Sequence, residues 1–247
     1  AIEQINRLFT GVVSIAVIAA VLGAFRRTPR RRDLTRLSIV IALGVPMQGV
    51  VGAIVVWTDL NPFANQQHFL LSMVLVALAT VLVWRAGEAE AADGSVTRRP
   101  RVADDVRRHV WVITVATAVA LLSGTFVTGA GPHAGDEDAK RFDIAITTIA
   151  RIHALAVLIT IASAAALLWR LRNRRQDRET LDASVTTWMV LAVAQAGLGY
   201  TQYFTDVPAV LVGIHVALAT GLWMATVWLQ LTTTTADSSV AAARADT

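Results

Sequence analysis

Long apolar runs alternate along this chain with short polar breaks, and seven runs approach or exceed the length a helix needs to cross a bilayer, about 20 residues. They cover roughly 8–25, 37–57, 68–84, 110–129, 149–169, 185–204 and 209–231. The breaks between them are of two kinds, in strict alternation. Arg26, Arg27, Arg30, Arg31, Arg32 and Arg36 follow the first run. Arg85, Arg98, Arg99, Arg101, Arg107 and Arg108 follow the third, and Arg170, Arg172, Arg174, Arg175 and Arg178 follow the fifth. The intervening breaks, 58–67, 129–148 and 205–208, hold only Lys140 and Arg141. Seventeen basic residues against two set the orientation by the positive-inside bias. The arginine side is cytoplasmic, so the N-terminus lies outside and the C-terminus inside. Trp57, Trp84, Trp111 and Trp169 fall at span ends, where an amphipathic ring prefers the interface. Pro46, with Gly44 close before it, predicts a kink in the second span.

The pattern also repeats. Residues 58–68 read TDLNPFANQQH and residues 205–215 read TDVPAVLVGIH, so Thr58 recurs as Thr205 and His68 as His215, an offset of 147. The same offset carries Gln48 onto Gln195, Gly52 onto Gly199, and Asn6 onto His153. A register held without a gap from position 6 to position 68 predicts a duplicated helical unit. The fold expected is an all-α polytopic membrane bundle of two pseudo-symmetric four-helix halves. Residues 1–87 form the first half, 88–108 a polar cytoplasmic linker, 109–232 the second half and 233–247 a disordered tail. The second half has four spans and the first only three, so the repeat predicts one further helix before Ala1.

Composition sharpens this picture. Of 247 residues, 55% are hydrophobic and 16% charged, where a soluble domain carries about 25% charged. The mean hydropathy is +0.55. The formal charge of +4 does not mark a nucleic-acid binder, because the arginines sit between apolar blocks where topology explains them. With no cysteine in the chain, disulfides, thiolate metal sites and cysteine nucleophiles are excluded.

The candidate chemistry lies in the polar residues close to the outer ends of the spans: His68, His153 and His215. Burying a polar ring in a bilayer costs several kcal/mol unless it is paired or hydrated. Each histidine alone is either a functional group or one satisfied by a neighbouring carbonyl or headgroup water. His153 and His215 together, at similar depth on different helices of one half, suggest an iron porphyrin held edge-on with one axial nitrogen from each. No carboxylate or cysteine is placed to complete a zinc shell. His68 matches His215, but the residue matching His153 is Asn6, a poor iron ligand, so the first half's site is asymmetric. Glu3 lies about one turn before Asn6 and is either an interfacial residue or a pocket-facing base. Arg7 and Arg151, at the pocket mouths, either pair with haem propionates or snorkel to water. Gln48 and Gln195 point to a shared packing or hydrogen-bonding role, His109 to a solvated position, and His133 to a turn-forming outer loop at 129–143.

At these residues the sequence resembles the haem A synthases, membrane proteins of cytochrome oxidase assembly. The matching pieces are IEQINR at 2–7, NPFANQQHFLLSM at 61–73, GTFVTGAGPHAGD at 124–136, ARIHA at 150–154 and QYFTDVPAVLVGIH at 202–215. The resemblance implies eight helices in two halves. It implies a haem b cofactor in the second half on His153 and His215, and haem O as substrate in the first half on His68. The family's glutamate–x–x–histidine–arginine signature falls on Glu3 to Arg7, with Asn6 in the histidine's place. The implied enzyme is an oxidoreductase that oxidises the C8 methyl of haem O to a formyl group, with Glu3 as the catalytic residue. Its surroundings would be a bacterial plasma membrane with the haem sites toward the outer face. Its partners would be membrane lipid, haem O and haem A, together with a haem O synthase and an electron-transfer partner, and a homo-oligomer stays open. The rival is a non-enzymatic membrane b-type cytochrome passing electrons between a quinol and a partner, which leaves Glu3, Asn6 and His68 without a role. A secondary transporter accounts for the duplication, but no span carries an unwound midplane pattern.

Overall fold

A computed structural model describes residues 2–88, 95–132 and 139–236, with the backbone alone for residues 2, 3, 5, 6 and 7. Seven helices are long and apolar enough to cross a membrane. They are α1 (Ile2–Arg26), α2 (Arg32–Trp57), α3 (Pro62–Ala86), α4 (Asp104–Ala130), α5 (Ile146–Leu171), α6 (Arg175–Phe204) and α7 (Ala209–Thr232). Helix α2 continues through Pro46.

The helices overrun the apolar runs at the arginine-bearing end. Helix α6 begins at Arg175 rather than near 185, and α4 at Asp104 rather than near 110. Hydropathy marks only the stretch that would lie in hydrocarbon, whereas a helix continues into water wherever its polar faces are compatible. In α6 that extension carries two i,i+4 ion pairs, Arg175–Glu179 at 2.9 Å and Arg178–Asp182 at 3.8 Å. Two segments expected to be irregular are partly ordered. A strand in the linker, β1 (Arg98–Pro100), pairs antiparallel with β2 (Thr234–Ala236) just after α7. The remainder of the tail, 237–247, and part of the linker, 89–94, lie outside the described residues.

Helices α4, α5, α6 and α7 close a ring in which α4 packs on α5, α5 on α6, α6 on α7 and α7 back on α4. Helices α5 and α7 therefore face each other across the ring rather than touching along their length. In the first half α2 packs between α1 and α3, and α3 joins the halves through contacts to α7 and α4. The core of the second half gathers at the arginine-bearing end, where Val106, Val110, Ile113, Leu181, Val185 and Trp188 are fully buried. Apolar burial gives little drive inside lipid, so small-residue contacts and interhelical hydrogen bonds locate the helices. Trp188 Nε1 donates to Thr226 Oγ1 at 2.8 Å, Gln66 Nε2 to Thr125 Oγ1 at 2.7 Å, and Trp223 Nε1 to the Met73 carbonyl at 2.9 Å.

The duplication is exact in backbone conformation at the outer turns. Asp59 and Leu60 have φ of 53° and 57°, and Asp206 and Val207, 147 positions on, have 56° and 55°. Leu60 N donates to the Val55 carbonyl at 2.9 Å and Val207 N to the Gln202 carbonyl at 2.9 Å. The left-handed region is costly for non-glycine residues, and for a β-branched one most of all. Its occurrence twice, at equivalent positions, shows that the turn is set by the repeat unit rather than by local residue preference.

At the other end Arg31 is fully buried. Its Nε and Nη2 hold Asp33 at 3.1 and 2.9 Å, and Nη1 donates to the Arg85 carbonyl at 2.9 Å. Arg98 bonds Glu88 and Asp33 beside it, fastening the linker strand to the first half.

Candidate functional site: three seated histidines

His68, His153 and His215 fall within the first two or so turns of α3, α5 and α7, at the end opposite the arginines. Each is half-buried, and each lies against a glycine of the helix packed beside it. A Cβ added at Gly52 would stand 3.2 Å from His68 Cε1, one at Gly124 3.2 Å from His153 Cε1, and one at Gly199 3.2 Å from His215 Cε1. Only a residue without a side chain lets the ring settle that close to the neighbouring backbone. Glycine at these positions thus fixes where the imidazole sits.

The backbone of each repeated histidine is held by a glutamine one helical turn before the glycine. Gln48 Nε2 donates to the His68 carbonyl at 2.9 Å, and Gln195 Nε2 donates to the His215 carbonyl at 2.9 Å. Gln48 also bonds Ser72. The repeat's glutamines therefore have the hydrogen-bonding role expected of them. In both copies the glutamine Oε1 and the histidine Nδ1 are buried without a hydrogen-bond partner.

His153 is supported differently. Its Nδ1 lies 3.1 Å from the Ala120 carbonyl and 3.0 Å from Ser123 Oγ, while the Ser123 hydroxyl donates to Ala120 at 2.9 Å. A nitrogen facing a carbonyl must carry the proton, so Nδ1 is the N–H and Nε2 keeps its lone pair. His153 on α5 and His215 on α7 lie on opposite helices of the α4–α7 ring, each near the outer end of its helix. An imidazole whose Nδ1 is occupied keeps Nε2 as a donor of the type a porphyrin iron takes, and each ring is seated on a neighbouring helix, His153 on α4 and His215 on α6. Among the described residues no three His, Cys, Asp or Glu side chains gather to hold a bare metal ion. The donor set near the outer end of the second half is two neutral-type imidazole rings, which suits a group that brings its own in-plane ligands.

In the first half the same architecture recurs around α2, with His68 on α3 and residue 6 on α1 to either side. Glu3, Asn6 and Arg7 lie on the first two turns of α1, and their side chains fall outside the described residues. Arg151 is exposed near the start of α5. His133 lies outside the described residues. His109 is not the solvated residue its basic neighbourhood suggests. Its Nε2 bonds the Ser163 carbonyl at 3.0 Å and its Nδ1 lies 3.1 Å from Arg170 Nη1, so it ties α4 to α5 at the arginine-bearing end.

The residues that sequence reasoning missed are Gly124, Ser123 and Ala120, which seat and orient His153. The signal was faint: Ser-Gly inside an apolar span, with no counterpart elsewhere in the chain to flag it. Above the sites, the described part of the outer connection folds inward. Phe142 packs edge-on against Phe63 of α3 at 4.7 Å, and Phe142 N donates to the Gly129 carbonyl at 3.0 Å.

Comparison with known proteins identifies the family. Residues 1–227 match the model of the COX15-CtaA family, described as cytochrome oxidase assembly protein. A heme A synthase of Listeria welshimeri is 25% identical over 229 residues, which is 90% of this chain and 72% of that protein. Heme A synthases of Listeria monocytogenes and Bacillus pumilus are 28% and 25% identical over 127 residues, about half of this chain and 41% of their own length.

Proposed function

The chain belongs to the COX15-CtaA family of cytochrome oxidase assembly proteins, and we propose that it is a haem A synthase that oxidises the C8 methyl of haem O to a formyl group. The observation that carries this is the repeated seat: a histidine on a glycine, fastened by a glutamine, at an offset of 147 in the two halves. One half then serves a resident cofactor and the other a substrate of the same shape.

His153 and His215 would hold haem b by Nε2, with the Ala120 carbonyl and Ser123 keeping the His153 proton on Nδ1. Haem b bound there supplies one-electron chemistry to the site. His68, seated on Gly52, would hold the iron of haem O in the first half. The Gln48 bond to the His68 carbonyl fixes the depth of that ligand, and therefore of the substrate's edge. Glu3, about one turn before Asn6 on α1, would act at the methyl. With water as the oxygen source, the methyl and one water become the formyl group, the protons released leave through a carboxylate at this edge that also orients the water, and the electrons released must be taken by an external one-electron oxidant. Arg7 and Arg151 would pair with the propionates. The arginine-rich end faces the cytoplasm by charge bias, which puts both haem sites toward the outer face and the C-terminus inside.

Replacing Glu3 with Ala separates the two roles. Haem A formation is expected to disappear while bound haem b stays at the wild-type level, measured by haem extraction and by the reduced-minus-oxidised spectrum. Normal haem A formation in that variant would remove Glu3 from the reaction.

A further inference from the structure

The arginine-bearing end carries two clefts that the haem chemistry does not use. One, of about 480 Å³, opens between the starts of α4 and α6 and is lined by Arg101, Arg174 and Arg175 with Asp177. The other, also about 480 Å³, lies at the α5–α6 turn and is lined by Trp169, Arg170, Arg172 and Arg174. Arg174 forms part of both.

The charges in these clefts are unevenly matched. Asp105 binds Arg170 at 2.5 Å and Arg174 at 2.7 Å, which fixes those two guanidiniums in place. Asp177 accepts from Ala103 N at 3.1 Å and stands 3.7 Å from Arg174. Arg175 pairs with Glu179 in an exposed i,i+4 contact of the kind that contributes little. Arg101 and Arg172 have no carboxylate partner among the described residues. Among the described residues, the first cleft thus pairs Arg101, without a carboxylate, with Arg174 held by Asp105, and the second pairs Arg172, without a carboxylate, with Arg170 and Arg174, both held by Asp105.

Guanidiniums bind phosphate oxygens as a planar fork. Because Arg174 lines both clefts, a ligand with two phosphodiesters joined by a short tether would place one beside Arg101 and the other beside Arg172. A lipid is favoured over a free anion because Trp169, lining the second cleft at the end of α5 and 69% exposed, is the residue type that membrane interfaces favour. Basic pockets between transmembrane helices are a known form of site for such headgroups. We propose that the paired clefts bind the headgroup of a two-phosphate anionic phospholipid of the cardiolipin type, with Arg101 holding one phosphate and Arg172 the other. Free phosphate shares the chemistry of each cleft singly, but it lacks the tether and the acyl chains.

The test is native mass spectrometry of the full chain, purified in detergent and supplied with cardiolipin, phosphatidylcholine or inorganic phosphate. Arg101→Gln with Arg172→Gln is compared with Arg32→Gln with Arg36→Gln, two exposed arginines of the same rim. Wild type and the Arg32/Arg36 variant should retain cardiolipin in preference to phosphatidylcholine, and the Arg101/Arg172 variant should bind it about tenfold more weakly with unchanged helix content. Equal loss in both variants would mean diffuse rim charge and would overturn the site. So would absence of preference over phosphatidylcholine, or displacement of cardiolipin by millimolar inorganic phosphate.

Discussion

At the scale of the residue, the central contact is an imidazole against a glycine Cα. Gly199→Ala and Gly124→Ala each place a methyl 3.2 Å from a histidine Cε1, tighter than the contact relaxes to freely, so the ring must shift by a few tenths of an ångström. Overpacking of this kind costs roughly 1–3 kcal/mol. Both variants are expected to bind severalfold less haem b per protein by pyridine haemochrome assay. Gly197→Ala, on the same helix with nothing within 4 Å of the added methyl, should bind the wild-type amount. Equal occupancy in all three would show that the glycines do not seat the ligands. The histidines and glutamines were legible in the sequence because each is a polar residue in an apolar run and each recurs at a fixed offset. The support of His153 was not, since Ala120 acts through its backbone and Gly124 has no second copy within the chain. The asymmetry that remains is chemical: His153 carries an acceptor for its Nδ1 proton, and His68 and His215 do not.

At the scale of the element, the runs fell short wherever a helix begins in polar residues: α1 begins at Ile2 rather than near 8 and α3 at Pro62 rather than near 68 on the outer side, and α4 at Asp104 and α6 at Arg175 on the arginine side. The runs ending at 57 and 204 and the one beginning at 209 coincide with helix ends, because the Thr-Asp turns interrupt the apolar pattern there. At the opposite end nothing interrupts it but polarity, and polarity does not stop a helix. That end is held by ion pairs, and Arg31 carries the most. Arg31→Met removes a fully buried guanidinium from Asp33 and from the Arg85 carbonyl, and it is expected to destabilise by about 3 kcal/mol. Arg32→Met, exposed beside it, should stay within about 0.5 kcal/mol. Thermal unfolding in detergent, followed by circular dichroism, compares the two, and equal melting temperatures would contradict a structural role for the Arg31 cluster.

At the scale of the whole molecule, the halves meet through α3, and side-chain hydrogen bonds cross that seam to both neighbours: Gln66 Nε2 to Thr125 Oγ1 of α4, and Trp223 Nε1 of α7 to the Met73 carbonyl. Trp223→Phe keeps the ring and deletes the donor. It should lower stability by about 0.6 kcal/mol, the average for such bonds between transmembrane helices, and leave the haem b spectrum unchanged. A changed spectrum would mean that the seam, and not only the half, shapes the haem site. The duplication was visible as a repeat before any contact was known, because His68 and His215 keep a fixed offset, and Asn6 marks where that symmetry breaks. What the repeat could not show was the linker strand joined to the segment after α7, since that pairing belongs to neither half.

The most direct measurement is chromatography of the haems extracted from membranes that contain the full-length protein and a haem O source. Haem A should appear beside haem b with the wild-type chain, and both should fall together in His215→Ala. Unchanged haem O beside a stoichiometric low-spin haem b would contradict the synthase assignment and leave an electron-transfer cytochrome. Absence of haem altogether would contradict the seats themselves.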